Sequence, residues 1–318
     1  MAGAVEGTQL QRHVLAARRH AAGAQPARRT GVPPSCPRQS ARRHSQRMAD
    51  GGAGAGVLPD PQHRPRHPLP RARRGPATHG GTARHDAVAW GYARGASARG
   101  VDIIQNCEVK AIRRDASGAV AGVETSKGPI AARKIGVVTA GHTSVVMAMA
   151  GLRMPLESFP LQALVSEPLK PVMPCVVMSN AVHAYMSQSD KGELVIGAGT
   201  DGYISYSQTG GPHVAVSTLE AIVEMFPITS RLKMLRNWGG IVDTTPDRSP
   251  ILSKTSVPGL FVNCGWGTGG FKATPGSGHV FADLVATGEP NAIAAPFTIE
   301  RFRTGALVNE ATAAAVAH

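Results

Sequence analysis

The sequence of 318 residues predicts a mixed α/β fold, and three observations support that prediction. A helix, strands and a hairpin follow one another between about 86 and 140. Several strand-like runs and one covering helix then occupy 161–225. A last buried strand at 260–264 runs into a glycine-rich turn and a helix from about 277 to 286. Strands and helices in this order are typical of a domain built from sheet and helix layers.

The first region resembles the dinucleotide-binding domain of a flavoprotein in its order of elements. Small and apolar residues at helical spacing predict its helix, and alternation around Lys127-Gly128 predicts its hairpin. A buried strand then ends in Gly141-His142, as expected where a β-meander returns to a parallel sheet. The predicted elements are a helix over 86–99, strands at 101–104 and 108–114, a hairpin of 119–125 with 129–132, and a strand over 134–140.

The second region, from about 152 to 238, predicts a separate mixed sheet. Its strand-like runs are followed by a helix over Pro212–Met225, and strands with one covering helix suggest a substrate-binding layer. The predicted strands are Leu161–Ser166, Cys175–Met178, His183–Ser187 and Leu194–Ala198. The sequence contains no internal repeat in either region.

The glycine-rich turn from Gly265 to Lys272 carries the most chemistry. Its four glycines let the backbone approach a ligand closely, and a helix N-terminus follows. Such a turn can present N–H groups to the N1–C2=O edge of an isoalloxazine ring, where negative charge develops on reduction. The alternative is a loop that only turns tightly, with Lys272 in solvent. We assign 80–150 and 239–318 to an incomplete, Rossmann-like FAD-binding domain, and 151–238 to a substrate-binding domain.

Residues 1–84 differ from the rest in composition. They contain 15 Arg and three acidic residues but no Lys, Ile, Asn, Phe, Tyr or Trp, and carry almost all of the net charge of +13. Because such a segment has little means of forming a core, we expect 1–79 to be disordered. One interpretation is a basic arm that binds nucleic acid.

An out-of-frame origin of 1–79 is the interpretation we favour, because basic nucleic-acid arms ordinarily use Lys as well as Arg. The glycines at 51–56 follow no apolar strand and precede no helix, so they predict no pyrophosphate site. We therefore expect no nucleic-acid partner.

Other features exclude whole classes of protein. No window of about 18 apolar residues is present, so we expect no membrane span. The first residues lack the pattern of a secretory signal. The four cysteines lie far apart and form neither a disulfide framework nor a zinc pattern, so we expect a cytoplasmic protein without a metal.

A family resemblance is carried by long motifs from about residue 80 onward. They are GGTARHDAVAWG (80–91), VDIIQNCEV (101–109), FPLQALVSEP (159–168), QSDKGELVIGAG (188–199), WGGIVDTTPDRSPI (238–251), NCGWGTGGFKATPGSG (263–278) and ATAAAVAH (311–318). In these motifs the chain resembles the β subunits of heterotetrameric sarcosine oxidases, in the D-amino-acid-oxidase-like flavoprotein superfamily. The family's N-terminal strand, glycine turn and ribose-binding acidic residue have no counterpart in 1–79.

The resemblance implies an enzyme that demethylates sarcosine to glycine at a noncovalent FAD. Electrons then pass to a covalently bound FMN and reduce O2 to H2O2, while the methylene group passes to tetrahydrofolate. The implied partners are the alpha, gamma and delta subunits, which supply the NAD and tetrahydrofolate sites. The implied context is a heterotetramer of sarcosine catabolism.

The resemblance also implies roles for single residues. His85 corresponds to the histidine that holds FMN, and a neutral imidazole can form a stable C–N bond with the 8α carbon of a flavin. Val109, Gly267, Gly270 and Lys272 correspond to FAD contacts. Lys272 is the implied catalytic residue, placed to pair with the substrate carboxylate or to assist beside the flavin.

Two further elements are weaker candidates. The resemblance places His142 after a turn that closes over the cofactor, although a structural role is also open. The loop of Asp243, Thr244, Thr245, Pro246 and Asp247 is expected to lie behind the site. For His85 the alternative is a histidine that starts a helix beside Asp86.

Three other functions stay open. The first is a related glycine or dimethylglycine oxidase, against which the motif around His85 and the match at 311–318 argue. The second is an inactive, frame-shifted fragment. The third is a nucleic-acid-binding protein that acts through its arginine-rich arm.

Overall fold

The computed structural model describes residues 82–308 except 180, 181 and 183. These residues form three β-sheets with helices packed against them. The predicted disorder of 1–79, the glycines at 51–56 and the motif at 311–318 lie outside the described residues. Within the described part of the chain, no helix is both long and apolar enough to cross a membrane.

The elements follow one another along the chain as a helix, a meander, a large sheet and a final hairpin. The helices are α1 (His85–Ser97), α2 (Thr143–Ala148), α3 (Pro212–Met225), α4 (Gly270–Thr287) and α5 (Arg301–Thr304). The strands are β1 (Val109–Arg114), β2 (Val120–Thr125), β3 (Gly128–Ala131), β4 (Ile135–Val137), β5 (Glu157–Pro168), β6 (Val177–Ser179), β7 (Ala184–Gln188), β8 (Glu193–Thr200), β9 (Met234–Thr244), β10 (Ile251–Lys254) and β11 (Leu260–Cys264).

The first sheet is an antiparallel meander in the order β1-β2-β3. Thr125 pairs with Gly128 across a turn of two residues, and its hydroxyl donates to the Gly128 carbonyl at 2.6 Å. Gly128 has a φ of +105°, which favours glycine there. The hairpin predicted around Lys127-Gly128 is confirmed.

The second sheet has the order β10-β11-β4, with β11 parallel to β4 and antiparallel to β10. Every residue of β11 is buried, as predicted for a core strand. Its outer cover is α4, whose Phe281 and Leu284 pack with Phe261 and Leu252. The ring of Phe281 lies so close to Gly136 that a Cβ there would be 3.0 Å from it. The parallel pair β4–β11 and helix α4 therefore pack together as one layered unit.

The third sheet is antiparallel, in the order β6-β7-β8-β5-β9, and α3 covers one face. Burial alternates along β5, and Leu164 packs with Ile196 and with Ile222 of α3. The predicted helix over Pro212–Met225 has the observed bounds, with Pro212 at the first helical position. β9 pairs with β5 along its length, so the boundary predicted between 238 and 239 falls inside a strand.

Three predicted elements differ from the observed ones. The strand predicted over 134–140 is confined to Ile135–Val137, and residues 140–142 form a 3-10 turn. The strand predicted at 101–104 is not part of any described sheet, and Val101, Ile103 and Ile104 are about half exposed. A strand needs a paired neighbour, and its apolar composition alone does not supply one. Helix α4 begins at Gly270, not near 277, and contains Pro275. Glycine and proline oppose a helix locally, which is why the sequence placed its start too late.

Candidate functional site

Three chain segments meet at one edge of the second sheet. Because β4 and β11 are parallel, the turns that follow them, 139–142 and 265–270, lie at the same edge. The end of β9 brings in the loop 243–247, which contacts the glycine turn directly. In open α/β sheets, ligands bind at the carboxyl ends of the strands. This edge is therefore the candidate functional site.

The turn at 139–142 is packed tightly onto β9. A Cβ at Gly141 would overlap the side chain of Ile241, and the Ser158 hydroxyl donates to the Gly141 carbonyl at 2.7 Å. Ala140 adopts a φ of +44°, unusual for a residue with a Cβ. His142 is exposed, and its ring centroid lies 5.1 Å from that of Tyr206. The backbone of the turn is thus fixed while His142 faces outward.

The first glycine of the glycine-rich turn is held rigidly. Gly265 has a φ of +74°, and its N–H donates to the buried Oδ2 of Asp243 at 2.6 Å. A Cβ on Gly265 would lie 2.8 Å from Cγ2 of Thr245. Gly267 also has a positive φ, but a Cβ there would meet only Asp243 O and Thr244 Cγ2, both at 3.8 Å. The turn is therefore gripped at Gly265 and open at Gly267.

The start of α4 lies at the same edge, directly after a 3-10 turn over Gly267–Gly269. No side chain caps the helix, and Gly270, Phe271 and Lys272 are exposed or half-buried. The first N–H groups of a helix lack intrahelical partners and carry partial positive charge. With the Lys272 ammonium beside them, these groups fit the electron-rich edge of a flavin ring. The residues that could hold FAD here are Gly267, Gly270 and Lys272.

The far end of the loop 243–247 is locked by a buried ion pair. Asp247 binds Arg301 through two hydrogen bonds, of 2.7 Å to Nε and 2.9 Å to Nη2, and both side chains are almost fully buried. Burial alone would raise the pKa of Asp247. The hydrogen bonds from Arg301 and from the backbone N–H groups of Val308 and Ser249 outweigh burial and lower this pKa to about 2.

Cys264 lies directly before the glycine turn but is no nucleophile. It is 1% exposed, and burial raises the pKa of its thiol well above the usual range. The negative charge of Asp243 raises the pKa further. A thiol that stays protonated is unreactive, so the cysteine is a core residue.

The predicted site residues fall into two groups. Gly267, Gly270 and Lys272 lie together on the glycine turn and α4. Val109 is the first residue of β1 in the meander, and His85 is the exposed first residue of α1. The assignments of all five to cofactors remain predictions.

The start of α1 lies beside the large sheet, because Arg84 is 3.8 Å from Asp190 in the turn between β7 and β8. His85, the next residue, is thereby placed near that turn. The glycine turn, by contrast, lies against the end of β9.

Several contacts at the site have no signal in the sequence. Ser158 joins two segments, since its hydroxyl binds Gly141 and its carbonyl accepts the Ser205 N–H at 3.1 Å. The loop 201–211 is closed at its neck by the buried Asp201 carboxylate, which accepts the Gly211 N–H at 3.0 Å. An acidic residue before Gly202 and a later glycine pair are the only hints of that closure.

A cleft of about 780 Å³ opens on the other side of the loop 243–247. Thr244, Thr245 and Pro246 line it together with Leu156 and Phe302, whereas the glycine turn and Lys272 do not. The loop therefore separates the cleft from the candidate site.

Comparison with known proteins adds family evidence to this geometry. The model of the FAD dependent oxidoreductase family matches residues 6–284, so the match extends over most of the segment for which the sequence predicted no counterpart. Sarcosine oxidase subunit beta of Rhodobacter capsulatus is 61% identical over 239 residues, which are 75% of this chain and 57% of the relative. The same subunit of an Arthrobacter species is 56% identical over 238 residues, 75% and 58% of the two chains. The chain thus spans somewhat more than half the length of these curated relatives.

Solved structures share the fold. The crystal structure of L-proline dehydrogenase from P. horikoshii matches with a TM-score of 0.64 and 24% sequence identity, over 70% of this chain and 60% of that one. Its fold has the same arrangement of helices and sheets. With a family model that covers well over half of its residues, the chain belongs to the FAD-dependent oxidoreductase (DAO) family.

Proposed function

We propose that the chain is the FAD-binding and substrate-binding part of a sarcosine oxidase. The glycine turn, with its gripped Gly265, open Gly267 and exposed Lys272, is the observation that carries this proposal. The identities of 61% and 56% to sarcosine oxidase β subunits support sarcosine as the substrate. When bound, FAD accepts two electrons and a proton equivalent from the amine.

In this proposal the chain's own residues bind the flavin and orient the substrate. Gly267 and Gly270 would hold the electron-rich edge of the ring, where partial positive charge favours the reduced state. Lys272 would hold the substrate carboxylate, and Val109 would hold the adenine end.

The overall reaction balances without a metal. Sarcosine loses two electrons and two protons to give an imine. The imine passes its methylene group to tetrahydrofolate, or releases it to water as formaldehyde, and leaves glycine. O2 takes up the two electrons and two protons and becomes H2O2. We place the tetrahydrofolate and NAD sites on partner subunits, the alpha, gamma and delta chains.

His85 is proposed to hold FMN covalently. It is exposed at the first position of α1, so its imidazole is open to a ligand from outside the chain. FMN bound here would form the second redox centre.

The proposal is tested with the purified chain and its partner subunits, assayed for H2O2 release with sarcosine, glycine and dimethylglycine. We expect sarcosine to be preferred, and acid-denatured protein to retain flavin on the peptide that contains His85. His85→Ala should release all flavin on denaturation. A preference for glycine, or flavin on the His142 peptide, would contradict the proposal.

Lys272→Met tests the site itself. A hydrogen bond to a charged group is worth about 1.5–3 kcal/mol, so turnover of sarcosine should fall about ten- to a hundredfold. Lys170→Met removes an equally exposed lysine from the large-sheet side and should leave turnover unchanged. Equal kinetics of the two variants would place Lys272 outside the site.

A further inference from the structure

Asp243 is a buried carboxylate at the candidate site for which the reaction has no use. It is 3% exposed, and its Oδ2 accepts the Gly265 N–H at 2.6 Å. In the β5–β9 register it stands opposite Ser158, whose hydroxyl fixes the Gly141 carbonyl. Asp243 therefore connects the two turns that form the edge of the site.

The charge of Asp243 has no cationic partner within the described residues. Arg301, by contrast, binds Asp247 at the far end of the same loop. The charge of Asp243 still acts on its surroundings, because it contributes to the raised pKa of the neighbouring Cys264 thiol. An unpaired charge in a buried, low-dielectric position acts over several ångströms.

The hydrogen bond to Gly265 fixes the geometry of everything that follows. Gly265 has a φ of +74°, and Thr245 blocks movement on its other side. The N–H groups from Gly267 to Lys272 continue from that point into α4. A charge-assisted hydrogen bond at Gly265 thus sets the direction in which the donors point.

We propose that Asp243 is a positioning residue with two separable effects on a flavin bound at the glycine turn. Its oxygen anchors Gly265 and so aims the N–H groups of the turn. Its negative charge, behind the turn, opposes the extra negative charge of a reduced flavin in front of it and so lowers the midpoint potential. The second effect rests on the proposed function, whereas the first does not.

Two substitutions separate these effects. Asp243→Asn keeps an oxygen that can accept the Gly265 N–H but removes the charge. Asp243→Ala removes both the oxygen and the charge. If the alanine variant does not fold, Asp243→Ser is measured in its place. Glu220→Gln is the control, since it removes a negative charge from the exposed face of α3.

The hydrogen bond that anchors Gly265 is tested without flavin, by measuring the rate of amide hydrogen exchange in the peptide 264–272 of the full chain. We expect exchange to accelerate at least tenfold in Asp243→Ala, because the buried Gly265 amide loses its charge-assisted hydrogen bond and the turn opens more readily. Asp243→Asn and Glu220→Gln should exchange within about threefold of the wild type. Unchanged exchange in both Asp243→Ala and Asp243→Ser would overturn the anchor.

The effect of the charge is tested by titrating FAD to obtain its affinity, and by redox titration of the FAD-loaded chain to obtain the midpoint potential. We expect Asp243→Asn to bind FAD within about threefold of the wild type but to show a higher midpoint potential, with Glu220→Gln unchanged. An unshifted potential in Asp243→Asn would overturn the charge effect. A wild-type chain that takes up no FAD would overturn that effect and the proposed function together, while the exchange measurement would still decide the anchor.

Discussion

The two ends of the loop 243–247 hold buried aspartates in opposite ways. Asp247 is paired with the buried Arg301 through two hydrogen bonds, and its pKa is lowered to about 2. Asp243, four residues earlier, binds only the Gly265 N–H among the described contacts and forms no ion pair there. The Asp247 carboxylate ties the loop to Arg301, and the Asp243 carboxylate holds the glycine turn.

The difference separates a buried charge that an ion pair neutralises from one that no ion pair in the described residues neutralises. A buried charge with a full partner has little field left to act on a ligand. A buried charge held only by a backbone N–H keeps its field, at a cost in stability. The site end of the loop therefore carries an unbalanced charge, and the C-terminal end carries a balanced one.

Breaking the balanced end should have the largest effect. Arg301→Met leaves Asp247 buried without a cation, which we expect to lower the free energy of unfolding by about 3–5 kcal/mol. Urea unfolding followed by circular dichroism measures the loss. Arg303→Met is the control, because Arg303 lies two residues further on, is 77% exposed and pairs only with Glu300. An unchanged midpoint for Arg301→Met would show that the pair does not hold the loop.

Adding a methyl group at the site end should have the next largest effect. Gly265→Ala forces a side chain into a left-handed conformation and 2.8 Å from Thr245, which we expect to cost roughly 2–3 kcal/mol. Gly276→Ala is the matched control inside α4, where a Cβ meets nothing within 4 Å. That control should stabilise the chain by about 0.5–1 kcal/mol. Equal unfolding midpoints for the two variants would argue against a strained turn.

Acid should remove the contribution of Asp247 to stability. The folded pKa of Asp247, about 2, lies below its ordinary 3.8, so the unfolded chain binds the proton more readily. Its contribution, about 2 kcal/mol, is complete above about pH 4 and is lost as the pH falls toward 2. Urea unfolding between pH 2 and 6 should show this loss in the wild type. In Asp247→Asn that part of the slope should be absent, and an identical slope would assign the acid sensitivity to other groups.

An exposed ion pair shows how much burial adds to the stability contribution of the Asp247–Arg301 pair. Lys254 lies 2.8 Å from Glu289, but the side chains are 54% and 74% exposed. Exposed pairs contribute about 0.5 kcal/mol or less, so Lys254→Met should barely move the urea midpoint. A loss as large as that of Arg301→Met would mean that burial is not the cause of the difference.

The sequence predicted those elements whose signals are local. Helix α3 has its observed bounds because Pro212 starts it and its apolar residues recur at helical spacing. The hairpin around Lys127-Gly128 follows from a glycine with a positive φ. The glycine turn was also predicted, since four glycines between a buried strand and a helix are a local pattern.

The remaining features depend on residues far apart in the chain. Asp243 contacts Gly265 across 22 residues, and Asp247 contacts Arg301 across 54, so neither contact can be read from the loop alone. The strand expected at 101–104 is absent from the described sheets for the same reason. A strand needs a hydrogen-bonded neighbour, and the local composition does not show whether one is present. The start of α4 was placed late, since Pro275 opposes a helix locally.

The parallel pairing of β4 with β11 also determines the order in which the protein can be built. Ile135 and Leu260 are neighbours in the sheet, but the whole antiparallel sheet lies between them in the chain. During synthesis from the N-terminus, the five-stranded sheet can be completed while β4 still waits for its partner. The edge that forms the candidate site therefore closes last, after β11, α4 and finally Arg301 have left the ribosome.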